Sequence, residues 1–481
     1  MENQSTNQNI ANGIVWKFAE RIFSQGVSFV VSVILARLLF PEDYGIVSIV
    51  LVFIEIANVF IASGLNASLI QKKEIDETEK STIFYCCIIL GVFLYGILFF
   101  TAPWIASFYD MPKLTNIIRV FALRIPLASI QQVPSALISR NLDFKKFFLS
   151  TSVGTVLSAV IGIWMAISGY GVWALIVQNL ISAFADAVIL SIVAKWRPKL
   201  IFSLKKTAPL ISYGSKIMFA DVIGAVINNL IPMIIGYRYT ASELAYYTKG
   251  KNLPYMFRNN IYLTILSVLF PTMCKVSDNV AEIKNIARRS IRMLSYVIFP
   301  IMMGMIYVSE DLVIALYTEK WILMAPFINI VCLECMISII SLIGGQALKA
   351  AGYGGVVLKM ETLKRIIFLT LIFISMNFGV KAIAWSLPIN AVVEVLLNHF
   401  FSIKITGYKL SEQIKDILVP LLLSFGMGVA IFAVSLIKMN IIVGLALKVF
   451  AGIVVYLALS IIFKVEEFKT ILGFVKSKLH V

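Results

Sequence analysis

The chain has 481 residues, of which 59% are hydrophobic and 14% charged, with a formal net charge of +16. A soluble domain carries roughly 25% charged residues, so this composition excludes water as the main solvent and predicts an all-α polytopic membrane protein. Five cysteines in apolar settings exclude a disulfide framework, and Cys332 with Cys335 reads as packing inside a span.

Windows of roughly 20 apolar residues predict fourteen transmembrane helices. Six fall near 14–39, 45–70, 81–103, 115–139, 147–168 and 171–194, and six more near 209–236, 244–273, 291–309, 322–348, 356–377 and 380–403. A last pair lies near 414–437 and 440–463. The expected division is a cytoplasmic tail over 1–13, an N-lobe over 14–208 and a C-lobe over 209–403, then helices 13 and 14 within 404–463 and a cytoplasmic tail over 464–481. The opening MENQSTNQNIANG lacks the basic start of a secretory signal, so the first helix is expected to stay. The connections are short and carry no Gly-rich phosphate loop or nucleophile elbow, and the histidines are only His399 and His480. An enzyme is not expected, nor a cofactor or a metal.

Orientation follows from the basic residues, because Lys and Arg in short loops stay cytoplasmic. With the N-terminus inside, 29 of the 42 Lys and Arg gather on one side, among them Lys73, Arg288, Arg292, Lys404, Lys415 and Lys478, against six on the other, among them Lys438. Both termini are then cytoplasmic. Basic loops facing anionic lipid also account for the net charge without any nucleic acid.

Ionisable groups inside spans are costly and mark a cavity or a partner. On the first helix Lys17, Arg21, Ser24, Ser28 and Ser32 form a polar stripe beside Glu20. The second carries Glu55 and Asn58, the fourth Arg119, Arg124 and Gln131, and the sixth Gln178, Ser182 and Asp186. The seventh offers Lys216, Asp221 and Asn228. On the eighth, Lys251, Tyr255, Arg258 and Tyr262 share a face, Lys249 lies near, and Pro254 is expected to interrupt the backbone ladder. Glu334, Ser338 and Ser341 stripe the tenth helix, and Asn390, Glu394 and Asn398 the twelfth. The thirteenth is read as free of charge along its membrane length, with Lys415 counted in the preceding connection, and the fourteenth carries only Lys448. Twelve helices are thus expected to enclose a polar cavity, and two to present apolar surface to lipid or to an isoprenoid tail.

Lys17, Arg21, Arg119, Arg124, Lys216, Lys249, Lys251 and Arg258 are the candidate anion-binding residues, because guanidinium and ammonium donors match phosphate oxygens. Glu55, Asp221, Glu334 and Glu394, nearer mid-membrane, are the candidates for coupling to a proton or sodium ion. The spacing from Arg37 to Glu42 recurs from Arg238 to Glu243, six spans later. It suggests a parallel six-plus-six repeat with the site at the interface of the halves.

The stretches ILARLLFPEDYGIVSI, SGLNASLIQKKEID, LISRNLDFKKF, GYGVWALIVQNL, VLFPTMCKVSDN, EKWILMAPF and LKAAGYGG resemble the Wzx-type polysaccharide exporters, within the multidrug, oligosaccharidyl-lipid and polysaccharide exporter superfamily. That resemblance implies two pseudo-symmetric six-helix lobes in a V plus an extra helix pair. It implies a bacterial cytoplasmic (inner) membrane flippase for undecaprenyl-pyrophosphate-linked oligosaccharide, serving capsule, exopolysaccharide, O-antigen (lipopolysaccharide) or teichuronic acid biosynthesis. The expected partners are that lipid-linked glycan, membrane lipid, and polysaccharide polymerase and chain-length machinery. Basic residues used by the related peptidoglycan-precursor flippases would carry over to Lys17, Arg21 and Arg258. Many relatives have an acidic residue before the Ile234-Ile235-Gly236 element, where this chain has Ile231 and Pro232. A cation-coupled drug exporter and a membrane-embedded glycan polymerase are the alternatives. The first would favour carboxylates over Arg and Lys, and the second a long outer loop that is not found here.

Overall fold

The computed structural model describes residues 2–479 apart from 73, 278 and 438, and all their side chains except those of 2–15, 18, 404, 405, 474, 475 and 477–479. Lys73, Lys404, Lys438, Lys478 and His480 therefore lie outside the described residues or side chains. Two compact units divide the chain, Met1–Ala245 and Tyr246–Val481.

In the first unit the helices are α1 (Glu2–Leu38), α2 (Pro41–Ala62), α3 (Gly64–Gln71), α4 (Glu77–Phe108), α5 (Leu114–Phe121), α6 (Arg124–Ile130), α7 (Gln132–Arg140), α8 (Phe144–Ile167), α9 (Val172–Val193) and α10 (Leu204–Arg238). Helix α11 (Ala241–Lys275) begins there and continues into the second unit. It is followed by α12 (Val280–Tyr317), α13 (Ala325–Ala350), α14 (Gly354–Ser375), α15 (Val380–Thr406), α16 (Leu410–Ser435), α17 (Ile441–Ile462) and α18 (Glu466–Leu479).

Among the described residues, eleven helices are long and apolar enough to cross a membrane, and the chain is a multi-pass membrane protein. Three of the fourteen expected spans fall outside that set. The stretch 115–139 breaks into α5, α6 and α7, where Pro126 and Pro134 each occupy a first helical turn, the place in a helix where a missing N–H costs nothing. The stretches 244–273 and 356–377 are continuous helices, α11 and α14. Lys249, Lys251 and Arg258 on the one, and Lys359, Glu361, Lys364 and Arg365 on the other, lower their apolarity. At Pro254 and Pro271 the ladder loses a backbone N–H, yet α11 runs on through both.

In the first unit, α8 packs along both α1 and α9. Its seam is a row of small residues at every fourth position, Ser150, Gly154, Ser158, Gly162 and Ala166, all buried. Such a row lets helices approach closely without a hydrophobic drive from water. Helix α10 crosses α3 at paired glycines, where a Cβ on Gly64 would lie 2.1 Å from the Gly214 carbonyl oxygen. Leu210 of α10 joins Leu65, Leu69, Ile83, Cys87 and Val133 in one core. The boundary between the units thus falls one helix beyond the 208/209 division expected from counting spans. Around this core Lys72 pairs with Glu79, and Lys206 with Asp76. The Lys206 ammonium holds the Asp76 carboxyl below the usual carboxylate range.

The turns before α2 and α11 share one construction, in a register one residue away from the Arg37–Glu42 and Arg238–Glu243 match, so that Glu243 answers to Asp43 and not to Glu42. The Phe40 N–H donates to Asp43 Oδ2 at 3.1 Å before α2, and the Thr240 N–H donates to Glu243 Oε2 at 3.0 Å before α11. Each carboxylate satisfies a backbone donor left over at a helix start.

In the second unit α13 packs against α12 and α15, with 72% of its most apolar stretch buried. Helix α16 lies against α12 and α17. The thirteenth span is not charge-free, because Asp416 in α16 is buried and accepts four hydrogen bonds from three residues. Arg288 donates to it from Nε at 2.7 Å and from a terminal nitrogen at 2.9 Å, Arg292 Nε at 2.9 Å and the Tyr408 hydroxyl at 2.7 Å. Lys448 of α17 pairs with Asp311 toward the other end of α12. Ion pairs near opposite ends of α12 therefore fasten this helix pair, which nevertheless turns Phe425 (50% exposed) and Phe432 (58%) outward.

Candidate functional site

Each unit holds a cluster of ionisable groups inside its apolar helices. In the first, Arg124 begins α6 and donates to Asn179 Oδ1 on α9 at 3.4 Å. The carboxylates of Glu55 on α2 and Asp186 on α9 lie within its electrostatic reach. Asp186 accepts from Ser150 Oγ of the small-residue seam at 3.2 Å. The close α8–α9 approach thus brings a hydroxyl to a carboxylate that would otherwise sit unsatisfied in a low-dielectric setting.

The cluster of the second unit is more extended. Arg258 on α11 donates to both Glu334 oxygens on α13, at 3.0 and 3.2 Å, and to Asn259 Oδ1 from Nε and the other terminal nitrogen. Its guanidinium carbon sits 4.2 Å from the Tyr255 ring centroid, and Lys251 Nζ lies 5.5 Å from the same ring and 5.8 Å from that of Tyr247. Each of these two cations lies about one helical turn from Tyr255 and close to its ring, which favours them over bare hydrocarbon. Along α13, Ser341 Oγ donates to Glu394 Oε2 of α15 at 3.1 Å, Asn390 donates to Glu394 Oε1 at 2.9 Å, and Asn398 donates to Ser341 Oγ at 2.8 Å. Two hydrogen-bonded groups thus follow one another along α13, one joining it to α11 and one to α15, with the Glu394 carboxylate within electrostatic reach of Glu334.

Of the candidate residues, the structure brings together Arg124 with Glu55, Arg258 with Glu334 and, within electrostatic reach of the latter, Glu394, while Lys251 meets Arg258 through the Tyr255 ring between them. The others are placed differently. Lys17 pairs with Glu20 at 2.9 Å and lies over the Phe147 ring. Arg21 is half-buried on α1. Arg119 donates to the Phe99 carbonyl at 3.3 Å and stacks on its ring, so it braces α5 against α4. Lys249 is half-buried on α11. Lys216, Asp221 and Asn228 are all exposed on α10. Asn179 and Ser150 were not singled out from the sequence, although an amide and a hydroxyl on neighbouring apolar helices are the usual glue between them. Asp416 was missed for another reason. It sits two residues into a span whose start had been assigned to a basic loop.

The sequence profile of the family described as "Polysaccharide biosynthesis protein" matches residues 34–326, more than half of the chain. The chain belongs to that family. Curated relatives agree with this membership and with the Wzx-type resemblance. The teichuronic acid biosynthesis protein TuaB of Bacillus subtilis (strain 168) is 25% identical, with 84% of this chain and 85% of TuaB covered. The succinoglycan biosynthesis transport protein ExoT of Rhizobium meliloti (strain 1021) is 24% identical over 81% of this chain and 79% of its own. The lipopolysaccharide biosynthesis protein WzxC of Escherichia coli (strain K12) is 21% identical over 90% and 89%. Among solved structures, the lipid II flippase MurJ in an inward closed conformation matches with a TM-score of 0.75 at 16% identity, covering 94% of this chain and 98% of that one. An inward-facing multidrug resistance MATE family transporter matches at 0.61 and 12%, over 82% and 98%. These likenesses establish the shared fold.

Proposed function

We propose that this family member is a flippase, not an enzyme. It carries an undecaprenyl-pyrophosphate-linked oligosaccharide from the cytoplasmic to the outer leaflet of a bacterial cytoplasmic membrane, by alternating access and with both termini in the cytoplasm. Capsule, exopolysaccharide, O-antigen or teichuronic acid assembly would use it. The drug-exporter reading is less favoured, since the sequence relatives are named for polysaccharides.

The carrying observation is the pairing of Arg258 with Glu334, with the Glu394 carboxylate within electrostatic reach of Glu334. A pyrophosphate cannot enter hydrocarbon without donors, and a guanidinium supplies them in a planar fork. In the resting arrangement Glu334 answers that guanidinium, so an arriving pyrophosphate replaces one anion with another. The released carboxyl then takes up a proton, which ties export to proton movement. Glu394, ringed by Asn390 and Ser341, offers oxygens of the kind a sodium ion takes. Lys216, Asp221 and Asn228 on the exposed face of α10 are too polar for lipid and fit a wet path for the glycan.

Glycan export in cells lacking the native gene and complemented with variants tests this reading. A charge-assisted contact contributes about 1.5 to 3 kcal/mol, so Arg258→Ala and Arg124→Ala should each lower export about tenfold or more. Unchanged export by both, at normal protein levels, would overturn the assignment.

A further inference from the structure

The strongest unassigned feature is a cavity of about 680 Å³ where the start of α12 meets α18. Its walls carry Arg288, Arg289 and Arg292 from α12, and Lys469, Glu466 and Glu467 from α18. This volume falls in the range of small-molecule sites. It is separate from the cluster around Arg258.

We propose that this cavity binds the phosphodiester headgroup of an anionic membrane lipid, and so pins α18 to the bilayer surface. Charge is the first argument. Asp416, outside the lining, holds Arg288 and Arg292 in fixed orientations, and the Glu466 carboxylate is 84% exposed and only 3.9 Å from Arg292. Counting Asp416 with the two glutamates, three carboxylates face four bases. One positive charge is left over, and a phosphodiester carries one negative charge. Arg289 is exposed and, among the described residues, has no carboxylate within ion-pair distance.

Depth is the second argument. The apolar helix α17 ends at Ile462 and α18 starts at Glu466, so the cavity sits where a span leaves the hydrocarbon. On α18, Phe468, Ile471 and Leu472 alternate with Lys469 and Lys476, the mixture found in helices that lie in the headgroup layer. A basic pocket at that level selects lipid phosphate.

The test uses the full-length protein in detergent, with bound lipid counted by native mass spectrometry after incubation with phosphatidylglycerol or with phosphatidylcholine. Phosphatidylglycerol should be retained preferentially. Each base removed near a membrane surface weakens anionic lipid binding about fivefold, so Arg289→Gln with Lys469→Gln should lower retention more than tenfold, and Arg289→Lys with Lys469→Arg should preserve it. Both side chains are exposed, and an unchanged elution volume and helicity would show that the double variant is folded. Equal retention of phosphatidylcholine, or unaltered phosphatidylglycerol binding by the folded double glutamine variant, would overturn the proposal. Inorganic phosphate provides a third arm. Failure to displace the lipid supports a lipid site, whereas complete displacement at millimolar concentration would show a site for the free anion and overturn the lipid assignment.

Discussion

Arg258 and Glu334 decide whether the second cluster is a scaffold or a working site, because the two roles respond differently to mutation. Their side chains are 16% and 11% exposed, and removing one partner of a buried pair strands the other at a cost of about 3–5 kcal/mol. Arg258→Ala should therefore shorten the thermal half-life of the detergent-solubilised protein as well as stop export. Replacing both, as Arg258→Met with Glu334→Leu, removes the stranded charge and should restore most of the half-life. Export should stay lost. A double variant that exports normally would make the pair structural only. The sequence placed these two residues among the candidates because ionisable groups are rare in spans. It did not show that the cation is already answered by the carboxylate, since that depends on how α11 and α13 are turned toward each other.

At the level of helices, close approach is the main packing device in the first unit. A Cβ at position 64 would meet backbone of α10 at 2.1 Å, and backbone cannot rotate aside as a side chain can. Gly64→Val should cost about 1–3 kcal/mol as an overpacked contact, seen as a lower unfolding temperature in detergent. Gly26→Val, at a position with nothing within 4 Å of its Cβ, should change it far less, and equal losses would discount the crossing. The pair α16 and α17 makes a different case. Its outward Phe425 and Phe432 meet lipid or an isoprenoid tail, and a tail gains almost nothing by moving from lipid to an apolar groove. Photo-cross-linkers there should label a polyprenyl probe more strongly than one at Phe100, another exposed residue. The guiding role fails if labelling is equal. The spacing of apolar residues did reveal both helices. It did not reveal how they are fastened, because Asp416 reads as part of a basic loop until α16 brings it beside Arg288 and Arg292.

For the whole molecule, the basic-residue asymmetry carries a topological prediction. A C-terminal fusion to green fluorescent protein should fluoresce and a C-terminal alkaline phosphatase fusion should be inactive, because the former works in the cytoplasm and the latter only outside it. The opposite pattern would reverse every leaflet assignment made for the substrate. The fusion also bears on α11 and α14, whose charges exclude them from the eleven most apolar helices. Eleven crossings would leave the two ends of the chain on opposite sides, and both ends return to one side only if one or all three of α11, α14 and the α5–α7 segment also cross.

Membership in the membrane class, the helical fold and the family-bearing motifs were all legible from the sequence, because hydropathy and local wording need no knowledge of neighbours. The turns before α2 and α11 were legible only to within one residue, since the match pairs Glu42 with Glu243 where the backbone pairs Asp43 with it. Partners were not. Whether Arg119 reaches a ligand or a carbonyl of α4, whether Arg124 meets Asn179, and whether Asp416 is solvent-facing or shared by two arginines depend on contacts between residues far apart in the chain. The sequence alone determined which side chains must leave hydrocarbon, since burying a charge is costly wherever it lies. Only the tertiary structure decided what each of them meets, since that follows from the crossing of helices that small residues such as Gly64, Gly154 and Gly214 allow to come together.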